Sequence, residues 1–133
     1  FPASLTYTYI DSQFDTDIAN TDFFGSVSAG DPIPYIPENQ MNLSIGAQNG
    51  EWSIYATVNY VDAVCVRASC GIFEETDSST TLDLAGHYKI NDTTSVSFKL
   101  ENATDSEDIL GRQPYGARPN KSQTTSIGFR IKL

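Results

Sequence analysis

The chain has 133 residues, 39% of them hydrophobic and 19% charged, which is enough for one domain and too apolar for a disordered tail. Seventeen Asp and Glu stand against eight scattered Lys and Arg, a net charge of −9, which excludes a nucleic-acid footprint built on clustered cations. No run of roughly 18 apolar residues occurs, so a transmembrane helix is excluded.

The dominant period along the chain is two. The first predicted strand sets Leu5, Tyr7 and Tyr9 against Ser4, Thr6 and Thr8. A polar, Gly- and Pro-containing stretch over residues 15–37 follows, and alternation resumes with Met41, Leu43 and Ile45 against Asn42, Ser44 and Gly46. Asn49-Gly50 is a strong tight-turn dipeptide. The third strand returns with Trp52, Ile54, Ala56, Val58 and Tyr60 against Ser53, Tyr55, Thr57 and Asn59.

Residues 62–79 form a second long polar segment holding Cys65 and Cys70. These two form a disulfide if the compartment is oxidising, and are otherwise free thiols or half of a metal site. A zinc site needs two more ligands nearby, and the sole histidine, His87, falls inside a strand pattern, so no metal is assigned. The fourth strand reads Leu82, Leu84, Gly86, Tyr88 and Ile90 against Thr81, Asp83, Ala85, His87 and Lys89. Asn91-Asp92 makes a second short turn, and the fifth strand sets Val96, Phe98 and Leu100 against Ser95, Ser97, Lys99 and Glu101. A third long segment, residues 102–123, leads to the last strand, with Ile127, Phe129, Ile131 and Leu133 against Ser126, Gly128, Arg130 and Lys132.

The expected fold is therefore all-β, an antiparallel up-and-down meander of about six strands. Connections alternate long and short, and the strands carry one apolar and one polar face over about 9 to 11 residues. A soluble sandwich also alternates in this way. The sorting of short turns to one end and long loops to the other favours the C-terminal part of a transmembrane β-barrel. Charged residues inside the polar faces, such as Asp83, His87, Lys99 and Arg130, are then solvated in a water-filled lumen. Tyr9 and Tyr60 fall towards the long-loop end, and Trp52 and Tyr88 towards the short-turn end, as in two interfacial girdles. The residues assigned to lipid are Leu5, Tyr7, Tyr9, Trp52, Ile54, Val58, Tyr60, Leu82, Leu84, Tyr88, Val96, Phe98, Leu100, Ile127 and Phe129.

The chain ends in SIGFRIKL, with Ser126, Gly128, Ile131 and Leu133 at the named positions of a polar-x-Gly-x-x-apolar-x-apolar pattern. This resembles the C-terminal signal read by the barrel-assembly machinery, although its usual last residue is aromatic and here is Leu133. Residues 101–133 resemble the end of a TonB-dependent outer-membrane receptor, with Asn102-Ala103-Thr104-Asp105 as the corner after the penultimate strand. GRQPYGARPNK, residues 111–121, resembles the branch that includes ferric dicitrate receptors, and residues 33–46 also resemble the family.

The resemblance implies that residues 1–133 are the C-terminal portion of a barrel of roughly 22 strands. The plug domain, the earlier strands and the segment that contacts the TonB complex are expected outside it. It implies import of a ferric chelate, ferric citrate or a siderophore, with cobalamin or a sugar as alternative cargo. The rival from another class is a small self-contained β-barrel or β-sandwich interaction module. The implied setting is the bacterial outer membrane, integral, with long loops extracellular and lipid and lipopolysaccharide as partners. That setting favours the Cys65–Cys70 disulfide. No catalytic constellation, cofactor or nucleic-acid partner is expected. For an anionic chelate the candidate contacts are Arg67, Arg112, Tyr115, Arg118 and Lys121, because guanidinium grips carboxylates with two parallel hydrogen bonds. Arg112 and Arg118 could equally pin their loop to neighbours or to lipopolysaccharide phosphates.

Overall fold

The computed structural model describes residues 1–22, 25–113 and 116–132. Ten strands follow one another: β1 (Ala3–Tyr9), β2 (Ile18–Thr21), β3 (Gly25–Val27), β4 (Asn39–Gln48), β5 (Trp52–Val61), β6 (Ser79–Lys89), β7 (Thr94–Glu101), β8 (Ile109–Gly111), β9 (Arg118–Pro119) and β10 (Thr124–Ile131). No helix occurs among the described residues. Six strands form one antiparallel sheet in the order β1-β4-β5-β6-β7-β10. The four short ones pair as two ribbons, β2-β3 and β8-β9, within the first and third long loops. Sequence period alone left these segments as loops, since two to four residues are too few to show alternation.

The register makes the alternation collective. Tyr7 faces Met41, which faces Tyr60, and Leu5, Leu43, Val58 and Leu82 form the next row. Leu84 faces Leu100, while Gly86, Phe98 and Ile127 stand in line, as do Trp52, Tyr88, Val96 and Phe129. Paired residues of an antiparallel sheet share a face. All fifteen apolar residues singled out in the sequence therefore lie on one side.

Among the described residues, no second layer stands against that side. Leu5 is 65% exposed, Ile54 57%, Ile127 65% and Phe129 75%. The buried apolar residues, Val27, Val66 and Ala68, all sit at the long-loop end rather than beneath the sheet. A soluble sandwich buries one face of each sheet. This sheet instead leaves its apolar face open and knits its polar one. Thr57 Oγ1 donates to Ser44 Oγ at 3.2 Å, Asn42 donates to Asn59, and Asn59 donates to Asp83. Tyr55 lies flat across this polar wall, its hydroxyl donating to Gln48 Oε1 at 2.9 Å. Gly46 makes room for the ring, because a Cβ there would meet Tyr55 Cδ1 at 2.4 Å.

Both short turns are closed by asparagine. Asn49 Oδ1 accepts the Glu51 and Trp52 amides at 2.9 and 3.0 Å, and the Asn49 amide donates to the Trp52 carbonyl. Neither Asn49 nor Gly50 takes the positive φ of a two-residue Asn-Gly hairpin. Three residues separate the strands, so the side chain rather than the backbone twist makes the turn. Asn91 repeats the device, accepting from the Thr93 and Thr94 amides at 2.9 and 2.8 Å. Strand β6 stops at Lys89, so Ile90, expected inside the strand, belongs to this turn.

Candidate functional site

The three long loops, residues 10–38, 62–78 and 102–123, gather at one end of the sheet and are bonded to one another. The first is a folded unit. Asp31 Oδ2 accepts the Ser28 amide and Asp17 Oδ1 the Ala29 amide, each at 2.7 Å. These carboxylates shape turns. Tyr35, at φ 61°, donates its amide to the Cys65 carbonyl at 2.9 Å and ties the first loop to the second.

In the second loop Cys65 and Cys70 are joined in a disulfide, with Cα atoms 5.2 Å apart. Val66 and Glu74 pair through Val66 N to Glu74 O at 2.7 Å, and Val64 and Thr76 exchange bonds next to it. Glu74 accepts from the Gly71 amide at 3.0 Å and Ser69 Oγ at 2.9 Å, with the Arg67 guanidinium 3.6 Å away. The backbone hydrogen bond from Gly71 comes first among the causes holding its carboxyl below the usual range, ahead of Ser69 and the Arg67 charge. Ile72 and Phe73 stand at the outer corner of this turn, 94% and 84% exposed.

The third loop is organised by Asn102, which is buried at 4% exposure and sits at φ 49°. Its Nδ2 donates to the Ser106 and Lys121 carbonyls at 2.9 Å each, and its Oδ1 accepts the Ser106 amide at 3.1 Å. Its own amide donates to Asp83 Oδ1 at 2.9 Å, anchoring the loop to the polar face of β6. Two loops are then zipped together. Asp77 N donates to Ile109 O at 2.9 Å, Ile109 N to Asp77 Oδ2 at 2.7 Å, and Ser79 Oγ to Asp108 Oδ2 at 2.8 Å.

A cavity of about 470 Å³ opens between the first loop, the end of β5 and the second loop, with Ile33, Ile36, Tyr60, Asp62, Val64 and Glu75 among its walls. Asp62 is the knot on its floor. Tyr60 Oη donates to one carboxylate oxygen, and the Asn39 amide, at 3.1 Å, and side chain donate to the other. The Tyr60 hydroxyl is the main cause that lowers the Asp62 pKa, and Asn39 adds to it. Nothing in the sequence periodicity signalled this knot, because its members are joined only by the β4–β5 register.

Comparison with known proteins gives this architecture a family. The family described as TonB dependent receptor-like, beta-barrel matches residues 1–103. The chain belongs to that family. Among solved structures, the siderophore receptor PiuA from Acinetobacter baumannii superposes with a TM-score of 0.81 at 15% identity, over 97% of this chain. The ferric-catecholate import receptor Fiu from Escherichia coli K12 superposes over 78% of this chain with a TM-score of 0.65 at 18% identity. The ferric preacinetobactin receptor BauA from A. baumannii does so over 77% with 0.61 at 16%. At such identities the likeness is one of fold. The chain spans 19%, 15% and 16% of the lengths of these three receptors. No curated protein matches the sequence. The family and its structural neighbours are receptors, not enzymes.

The cations singled out in this receptor barrel all lie at the long-loop end, and three are engaged locally. Arg67 faces Glu74, Arg112 Nε donates to the Glu75 carbonyl at 2.6 Å, and Lys121 Nζ lies 2.7 Å from Glu101 Oε2. Arg112 thus bridges the third loop to the second. Arg118 is exposed on β9. Tyr115 lies outside the described residues, as does Leu133 of the C-terminal pattern. Ser126, Gly128 and Ile131 stand on β10, paired with Lys99, Ser97 and Thr94. Lys99, expected to be solvated in the lumen, and Lys121, a candidate chelate contact, both pair with Glu101 in a small network at the rim.

Proposed function

We propose that this chain forms the C-terminal part of the wall of an outer-membrane receptor that imports a ferric chelate with energy supplied through TonB. One observation carries the reading: six strands place the fifteen apolar residues assigned to lipid on one face that the described residues leave uncovered, with long and short connections sorted to opposite ends. Lipid is the solvent that such a face fits, since the strands satisfy one another's backbone groups. Both edge strands, β1 and β10, leave a row of backbone groups unpaired, which further strands of a closed barrel would complete. Plug and earlier strands then belong to the rest of the receptor. Ser126, Gly128, Ile131 and Leu133 serve as its assembly signal, and lipopolysaccharide meets the long-loop rim.

In this reading the bonded loops are a fixed part of the vestibule, and Arg67, Arg112, Tyr115, Arg118 and Lys121 meet the chelate there. The residue 111–121 motif points to ferric dicitrate, while the neighbouring structures are a siderophore receptor, a ferric-catecholate import receptor and a ferric preacinetobactin receptor. The experiment is uptake of radioactive iron, as dicitrate, catecholate and hydroxamate chelates, by cells with and without the full-length receptor. Loss of uptake of at least one chelate on deletion, with restoration by the intact gene, is expected. Unchanged uptake of every ferric chelate would overturn the reading. Loss of cobalamin or sugar uptake instead would keep the barrel and change its cargo.

A further inference from the structure

Three glycines stand inside the six-stranded sheet, and two of them have a reason within the chain. A Cβ at Gly46 would run into the Tyr55 ring, and one at Gly128 would lie 2.7 Å from Ser97 Oγ, both on the polar face. Gly86, within β6 on the apolar face, has no such reason among the described residues. Its φ is not positive, and a Cβ there would meet nothing nearer than the Ser53 carbonyl at 3.8 Å. A side chain would fit, yet the strand forgoes the packing and stiffness that one would bring. A glycine inside a strand then marks a place where something else approaches closely.

The missing side chain leaves a pit. Gly86 pairs with Ile54 on β5 and Phe98 on β7, and Trp52, Tyr88 and Val96 form the next row towards the short turns. These residues line an almost wholly apolar hollow of about 290 Å³ that opens on the uncovered face. Trp52 and Tyr88 pair directly, about 7 Å along the strands from Gly86. Neither the Trp52 indole N–H nor the Tyr88 hydroxyl has a hydrogen-bond partner among the described residues. Two free polar groups thus edge an apolar pit on its short-turn side.

Resting on the reading that the apolar face meets lipid, we propose that this pit is a seat for one phospholipid of the periplasmic leaflet. An acyl chain lies over Gly86 between Ile54 and Phe98, and the Trp52 indole N–H and the Tyr88 hydroxyl donate to its ester or phosphate oxygens. The order of chemistry along the strand selects this occupant: apolar walls deeper in the sheet, and donors at the end where short turns meet headgroups. An apolar side chain of a second copy would fill the hollow but leave both donors unmet. Solvating lipid touches the whole face. Here one chain sinks below the level of the surrounding side chains and is held at its polar end as well, so it exchanges more slowly than its neighbours.

The test titrates the full-length, delipidated receptor in detergent micelles with phosphatidylethanolamine brominated on its acyl chains. Trp52 emission, taken as the difference between the unchanged receptor and Trp52→Phe, is expected to be quenched and to saturate at one lipid per receptor. Gly86→Leu fills the pit and should raise the lipid concentration for half quenching at least fivefold. Gly86→Ala, which adds a single methyl group, should shift it less and in the same direction. Tyr88→Phe, which removes a donor and keeps the pit, should also raise it, and Val58→Leu, on the same face outside the pit, should leave it unchanged. Quenching that never saturates, or that is equal in the unchanged receptor and both Gly86 variants, would overturn the proposal and leave the receptor reading intact. A receptor dimer in native mass spectrometry that Gly86→Leu splits would overturn it in favour of a second copy. A receptor that stays dispersed in water without detergent, with Trp52 emission indifferent to the brominated lipid, would overturn both.

Discussion

Replacing Asn102 by alanine should release the third long loop without disturbing the sheet. The substitution removes two donors that serve the Ser106 and Lys121 carbonyls and the acceptor that serves the Ser106 amide. At about 1 kcal/mol for each hydrogen bond, the loss is about 3 kcal/mol. Alanine must also hold the left-handed φ of 49°, which adds about 1 kcal/mol. A local penalty of about 3–4 kcal/mol corresponds to an increase of at least two orders of magnitude in loop opening. Hydrogen exchange at the Ser106 amide and at the Gln123 amide, which donates to Asp105 Oδ1, reads this directly in the folded receptor. Asn102→Gly loses the same side-chain bonds but tolerates the backbone, so it should exchange about fivefold more slowly than the alanine variant. Protection in Asn102→Ala within threefold of the unchanged protein would refute the assignment of Asn102 as the loop's anchor. Equal exchange in the two variants would refute the strain part of the argument.

Three further outcomes follow from the same geometry. Val58→Arg, near the middle of β5 on the uncovered face, should destabilise the folded receptor in bilayers by about 2–4 kcal/mol. Thr57→Arg, opposite Asp83 on the polar face, should be tolerated, and denaturant titration of the two variants compares them. Asp62 has a depressed carboxyl pKa because Tyr60 and Asn39 donate to it. Its contribution is therefore present above the ordinary carboxylate pKa and fades as pH falls through the lower folded value. The protection factor of the Asn39 amide, taken against its intrinsic exchange rate at each pH, should fall with acid in that window, and Asp62→Asn should remove this fall. Reduction of Cys65–Cys70 opens a loop of sequence separation 5 and should cost the second loop about 2 kcal/mol of chain-entropy restraint. Limited proteolysis should then cut within residues 66–75 at least tenfold faster while the six-stranded sheet keeps its thermal transition.

The sheet was legible in the sequence because its physics is local and repetitive. Strand β5 alternates without a break from Trp52 to Tyr60, and the two short turns announce themselves through Asn49-Gly50 and Asn91-Asp92. The expected faces hold in all six strands because a strand's side-chain period is fixed by its backbone. The long loops were not legible in the same way. Their order comes from bonds between residues far apart in sequence, such as Tyr35 with Cys65 and Asp77 with Ile109. Single cations suggested a ligand surface, yet Arg67, Arg112 and Lys121 each found a partner nearby in space. Asn102 was visible as part of a corner, and its role as a four-way anchor appeared only once its φ and burial were known.

A nitroxide scan along β5 in the full receptor, one label at a time from Ser53 to Tyr60, tests most directly whether the sheet is a wall between lipid and water. Collision with oxygen dissolved in the bilayer should peak at positions 54, 56, 58 and 60. Collision with a water-soluble nickel complex should peak at 53, 55, 57 and 59, with a strict period of two. Opposite phasing, or burial of the even-numbered labels from both reagents, would mean that the apolar face packs against protein and that the chain is no part of a membrane barrel.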